Sequence, residues 1–134
     1  MKIFHLEMTK SKFVYEFEIN ASKKMLYPYL NSASGLSQWY ADDVTINEDK
    51  IYNFIYEGED HPARMTHHRT NNYVKFEFIE DSDDPDYVEF RLEENELTQS
   101  VFIKVIDYSD FDDPEEQGEV WENLLLSLKE IVGG

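Results

Sequence analysis

The sequence predicts an α+β fold: a curved antiparallel sheet of about seven strands around a long C-terminal helix, with two short helices after the first strand. Three features point there. Apolar and polar residues alternate at period two through most of the chain. The alternating runs are separated by short turn signals and not by helical crossovers. Beyond Asp113 the period lengthens to that of a helix. A sheet with one apolar face and a helix with one apolar stripe bury those surfaces against each other, so residues 1–134 are expected to form one domain.

Phe13, Tyr15, Phe17 and Ile19 alternate with Val14, Glu16, Glu18 and Asn20, as in a strand with one buried face. Ser22 is placed to cap a helix carrying Met25, Leu26, Tyr29 and Leu30, which Pro28 shortens or kinks by removing an amide donor. Ser34 is placed to cap a further helical turn that brings Leu36, Trp39 and Tyr40 to the entrance of the sheet. Val44 and Ile46 lead into a turn at Glu48-Asp49-Lys50; Tyr52, Phe54 and Tyr56 then share one face until Gly58 breaks the run. Ala63, Met65 and His67 alternate next, and Asn71-Asn72 turn the chain, since asparagine tolerates a positive φ. Three more inward sets come after it: Val74, Phe76 and Phe78; Val88, Phe90 and Leu92; and Val101, Ile103 and Val105. Asp113, Pro114 and Glu116 read as an N-cap, a proline at the first helical position and a carboxylate at the third. Trp121, Leu124, Leu125, Leu128, Ile131 and Val132 form one apolar stripe, and Gly133 is placed to close the helix. Roughly 19 helical residues at about 1.5 Å each reach about 28 Å, enough to cross the sheet.

Composition excludes several classes of function. The chain has 134 residues, 41% of them hydrophobic and 15% aromatic, enough for one core. It has no cysteine, which excludes disulfides and Cys-ligated zinc and suits a reducing cytoplasm. No apolar run approaches the roughly 18 residues of a membrane span, and the N-terminal MKIFHLEMTKSKFVYEFEI has no sustained apolar stretch after its basic residues. The expectation is an unexported cytoplasmic protein without membrane insertion. The formal net charge of −17, from 29 acids against 12 bases, repels phosphate backbones and anionic headgroups, so no nucleic-acid partner is expected. Residues 80–96 hold nine acids against Arg91 alone, and residues 107–119 hold seven acids and no base, whereas Lys2, Lys10, Lys12, Lys23 and Lys24 make the start basic. Such a surface solubilises the chain or docks a protein partner with a basic surface.

No Gly-rich phosphate loop, nucleophile elbow or zinc helix is present, so nucleophilic catalysis and cofactors have no support and no catalytic residue is assigned. His67 and His68 point to opposite sides of a regular strand and cannot share a metal, and the acidic loops lack EF-hand spacing; no metal site is expected.

Residues 21–30 (ASKKMLYPYL), residues 34–44 (SGLSQWYADDV) and the ending WENLLLSLKEIVG led by Trp121, set in this order of elements, resemble the START-like superfamily, and within it the relatives of the activator of Hsp90 ATPase homologue. The middle stretch, a helical turn ending in tryptophan plus a second aromatic, is the most distinctive. The resemblance covers nearly the whole chain. It implies the helix-grip fold with a cavity between sheet and long helix, which in many members holds a lipid, polyketide or other apolar molecule. Some members are cyclases or similar enzymes, and the activator relatives bind a chaperone; function lies in the site and not in the fold.

The candidate wall of such a cavity is the inward aromatic set Trp39, Tyr52, Phe54, Tyr56, Phe76, Phe78, Phe90 and Trp121, with Met65, His67 and Leu125 beside it. Each ring taken singly reads as core, but a buried tyrosine hydroxyl requires a partner that a ligand or water could supply. Of the histidines, His67 falls on the inward side of its strand, while His5 and His61 read as exposed. Asp42 and Asp43 read as turn or capping residues, and Asp107 follows Val105 in phase. The function expected is non-enzymatic binding of a small apolar or amphipathic ligand. The alternatives are a protein-interaction module of co-chaperone type and a cyclase-like enzyme using His67 and Tyr56. Ligand identity and oligomeric state are not set by the sequence.

Overall fold

The computed structural model describes residues 10–133, so the expectations placed on Lys2, His5 and the N-terminal segment lie outside the described residues. One antiparallel sheet dominates. β1 (Ser11–Ile19) lies at one edge beside β7 (Val101–Ser109), followed by β6 (Tyr87–Glu94), β5 (Tyr73–Phe78), β4 (Glu59–Arg69), β3 (Tyr52–Tyr56) and, at the other edge, β2 (Asp43–Ile46). From β2 to β7 every strand pairs with its sequence neighbour, so the turn residues set the topology. Lys50 and Asn71 adopt left-handed φ of 63° and 64° where the chain reverses.

The connection from β1 to β2 must cross the whole sheet, and helical turns make that crossing. They are three, where two were expected: α1 (Lys23–Leu26), α2 (Pro28–Asn31) and α3 (Ala33–Leu36). Pro28 stands at the first position of α2, where its missing amide costs nothing, so the proline divides the segment instead of kinking one helix. Ser22 Oγ accepts from the Met25 amide at 3.0 Å, as expected. The cap of α3 is Ser32 and not Ser34: Ser32 is extended at ψ 151° and its Oγ accepts from the Gly35 amide at 2.9 Å. Gly35 is required there because α2 passes so close. A Cβ on it would lie 2.1 Å from the Pro28 carbonyl oxygen.

α4 (Pro114–Val132) begins as the sequence indicates, with Asp113 Oδ1 accepting from the Glu115 amide at 2.9 Å, and ends at Gly133 with φ 81°. Trp121, Leu125 and Leu128 are buried against the sheet, whereas Ile131, placed in the stripe by its spacing, is exposed near the end of the helix. Phe54, Phe76, Phe90, Val74, Ile103, Val105, Leu125 and Leu128 are fully buried in one cluster, so the middle of the interval between sheet and helix is filled by side chains.

β4 departs from strict alternation. Met65 pairs with Phe76 but His67 pairs with Lys75, so Thr66 is an extra residue, a β-bulge that reverses the phase of the strand beyond it. His68, opposite the buried Val74, takes the inner phase. His67 is exposed on the outer face, which overturns its expected inward position and removes the His67–Tyr56 pair on which the cyclase-like alternative rested. His61 is corrected the other way. It lies within β4 opposite Phe54, half-buried, and not in a solvent-exposed loop.

Candidate functional site

Two consecutive aromatics, Trp39 and Tyr40, are both buried because the chain after α3 is neither strand nor regular helix. The amides of Tyr40 and Ala41 both donate to the Leu36 carbonyl, at 2.9 and 3.4 Å. This tight turn drives Tyr40 into the mouth of the grip. Its ring meets Phe54, Tyr56 and Phe90 edge-on at centroid distances of 5.4, 5.8 and 5.6 Å and stacks on Trp121 at 5.6 Å with a 16° interplanar angle. Tyr40 is the site residue the candidate set lacks. Its only signal was the WY pair following a capped turn.

The polar tips of the predicted wall are largely satisfied from within. Trp39 Nε1 donates to the Tyr29 carbonyl at 2.8 Å and Tyr52 Oη to the Asn31 carbonyl at 2.6 Å, tying α2 to the turn after α3 and to β3. Trp121 Nε1 donates to Asp107 Oδ2 at 2.9 Å, an oxygen that also accepts from Gln117 Nε2 at 2.5 Å. Asp107 Oδ1 accepts from Ser109 Oγ at 3.0 Å. Asp107 therefore anchors α4 to β7. Asp42 also acts as a cap, its Oδ2 accepting from the Glu57 amide at 2.7 Å.

Two recesses open beside Tyr40 and Tyr56. The first, about 330 Å³, has Tyr40, Tyr56, His61 and Phe78 as its wall and Asp60, Glu80 and Asp86 at its rim. The second, about 290 Å³, lies between the same two tyrosines, Trp39, Asp42 and the helix residues Val120 and Leu124. His61 sits edge-on to Tyr56 at 5.2 Å between ring centroids. Lys10 Nζ holds part of the rim, 2.7 Å from Glu80 and 2.9 Å from Asp86. Burial raises the Tyr40 hydroxyl well above the ordinary tyrosine range, with the neighbouring Tyr56 hydroxyl and the Asp107 charge adding to it. Burial raises Tyr56 too, reinforced by the carboxylates of Asp107 and Asp42. Both therefore stay protonated across the neutral range, as neutral hydrogen-bonding tips on an apolar wall.

The candidate residues thus separate into groups. Trp39, Tyr56 and Phe78 line the two recesses at the mouth. Tyr52 and Met65 line a third recess at the far edge of the sheet. Phe54, Phe76, Phe90, Trp121 and Leu125 are packed core, and His67 faces away. Among the described residues no group of three or more His, Asp or Glu is placed to hold a metal ion, and no helix is long and apolar enough to cross a membrane.

A seven-stranded antiparallel sheet gripping one long C-terminal helix, with short helices closing the mouth, is the α+β helix-grip class. The chain belongs to the START-like superfamily, whose domain matches residues 7–134. Solved structures with the same fold include the Aha1 dimer of Colwellia psychrerythraea, 20% identical over 90% of this chain and 94% of that one, TM-score 0.70. BfR322 of Bacteroides fragilis is 28% identical over 93% of each chain, TM-score 0.64. DynU16, a protein of the dynemicin biosynthetic locus, is 9% identical over 91% of this chain and 47% of that one, TM-score 0.72. No curated protein matches the sequence.

Proposed function

We propose that the chain binds a compact amphipathic small molecule at the mouth of the grip, without transforming it. The observation that carries this reading is the meeting of the two recesses at Tyr40 and Tyr56, aromatic faces with neutral hydroxyl tips. Together they offer an apolar wall with few, fixed polar groups, within the size range of small-molecule sites. Of the ligand classes the resemblance implies, the lipid-like one fits this site least. With Phe54, Phe76 and Phe90 filling the middle, a long acyl chain has no path inward, and the occupant is short and ring-like. The fold shared with a protein from a biosynthetic locus is consistent with such a cargo.

The two tryptophans of the sequence both contact Tyr40, so intrinsic fluorescence reports on the site. Protein purified from its native host is denatured, its extract is analysed by mass spectrometry, and any compound found is titrated back while tryptophan emission is read. The expected result is a stoichiometric compound whose rebinding shifts the emission in wild type and is weakened in Tyr56→Leu. Absence of any co-purifying molecule, together with unchanged emission over a panel of neutral aryl probes, would count decisively against the reading.

A second reading, interaction through the acidic surface with a basic protein partner, draws support from the filled centre and the charge of −17. It predicts capture of a defined chaperone at low salt that is lost as salt rises.

A further inference from the structure

The far edge of the sheet carries a recess of a different character. The β2–β3 hairpin ends at Lys50, but β4 runs on past it to Arg69, so the inner side of this overhang has no strand beside it. The step encloses about 590 Å³, with Ile46, Tyr52 and Met65 as an apolar floor. Lys50, Arg64 and His68 stand around it, against the single carboxylate of Asp49. Two features of the chain put Lys50 and His68 there, while Arg64, opposite Glu77 in the outer phase of β4, borders the recess from the other side of the open edge. Lys50 adopts a left-handed φ of 63° at the hairpin tip, and the Thr66 bulge turns His68 toward the inner phase beyond Met65.

The charge pattern is the informative part. In a chain of net charge −17, with 29 acids, two of the 12 lysines and arginines and one of the four histidines gather at one apolar recess. The mouth recess, by contrast, is rimmed by Asp60, Glu80 and Asp86. Among the described residues, no carboxylate lies within ion-pair distance of Lys50, Arg64 or His68; the ion pairs formed are those of Lys10, Lys75 and Arg91. Three cationic or hydrogen-donating groups over an apolar floor match one ligand chemistry: a carboxylate head on a short apolar body.

We infer that this edge recess is a second binding site, specific for small amphipathic carboxylates. The carboxylate sits among Arg64, Lys50 and His68, and the apolar body lies on Ile46, Tyr52 and Met65. The site is separate from the Tyr40–Tyr56 mouth and does not depend on it.

The test uses the full chain and octanoate as probe, with octanol and octylamine as matched neutral and cationic controls, read by amide chemical-shift mapping. Octanoate is expected to shift Ile46, Tyr52, Met65 and His68 saturably, and neither control should do so. The double substitution Lys50→Asn and Arg64→Gln is expected to weaken octanoate by about tenfold or more, as loss of two opposed charges at one site implies. Asparagine is chosen because it tolerates the positive φ at residue 50. If the variant misfolds by circular dichroism, salt titration of the wild type replaces it. Raising salt from about 0.01 M to about 0.15 M should weaken octanoate and leave octanol unchanged. Equal binding of octanol and octanoate, shifts scattered over the surface, or an affinity indifferent both to the substitutions and to salt would overturn the assignment. Shifts confined to Tyr40, Tyr56 and His61 would overturn it as well, placing the carboxylate at the mouth instead.

Discussion

Asp107 shows how one residue can be inward-facing and still structural. Its carboxylate accepts from the Trp121 indole and from Gln117, so its charge is spent on holding α4 and not on withdrawing a proton from a ligand. Replacing it with leucine leaves a buried indole N–H unpartnered, and urea unfolding should show a loss of about 2–3 kcal/mol. Asp107→Asn keeps an acceptor and should lose about half as much. Burial, reinforced by the same charge, raises Tyr40 and Tyr56, which yields a pH dependence of known sign. Above the ordinary tyrosine pKa near 10, the unfolded chain releases these two protons while the folded chain keeps them, so stability is intact below about pH 10 and falls as pH rises beyond it. Spectrophotometric titration at 295 nm should show Tyr40 and Tyr56 as the last of the nine tyrosines to ionise, and only together with unfolding. Side-chain periodicity indicated that Tyr56 faces inward. It placed Tyr40 at the entrance of the sheet but not among the wall residues, because the burial of Tyr40 depends on a turn that breaks both the helical and the strand period.

At the scale of elements, two glycines make opposite demands. Gly35 lies where α3 crosses α2, and a Cβ there would meet the Pro28 oxygen at 2.1 Å and the Tyr29 Cα at 2.6 Å, both backbone atoms that cannot yield singly. Gly35→Ala should therefore destabilise by at least about 2 kcal/mol and displace Trp39 and Tyr40 from the mouth, visible as a shift in tryptophan emission. Gly118, inside α4, meets only the Phe13 Cζ at 3.7 Å. Gly118→Ala should stabilise by about 0.5–1 kcal/mol through helix propensity alone. The long helix was legible from its caps, Asp113-Pro114 and Gly133, and from its stripe, which are all local signals, although Ile131 in that stripe proves exposed. The seven strands were legible for the same reason. The division of the first helical segment into α1 and α2, and the choice of Ser32 over Ser34 as cap, were not. Several serines and one proline in a short stretch permit more than one arrangement, and packing against β3 selects among them.

For the molecule as a whole, the dominant long-range term is self-repulsion from a net charge of −17. Only four ion pairs join the described residues, and they sit mostly at the surface. Screening should thus relieve repulsion more than it weakens pairing. Between about 0.01 M and about 0.15 M salt the screening length falls from about 30 Å to about 8 Å, and Tm should rise by a few degrees. A falling Tm would mean that the pairs outweigh the repulsion. The sequence carried this global charge openly, but not its distribution over the fold. The separation of an acid-rimmed mouth from a base-rimmed edge arises because β4 outruns the hairpin beside it, a matter of relative strand lengths that composition does not encode.

The bulge at Thr66 also bears on how such a chain can change over generations. A chain shortened by that one residue would regain strict alternation through β4 with His67 still opposite Lys75 and His68 still opposite Val74, so no side chain beyond the bulge would change face. Loss or gain of a single codon at that point is then a heritable step that the inner wall absorbs unchanged. Lineages of this fold differing by one residue in length at that point should still turn the same imidazole to the inner side.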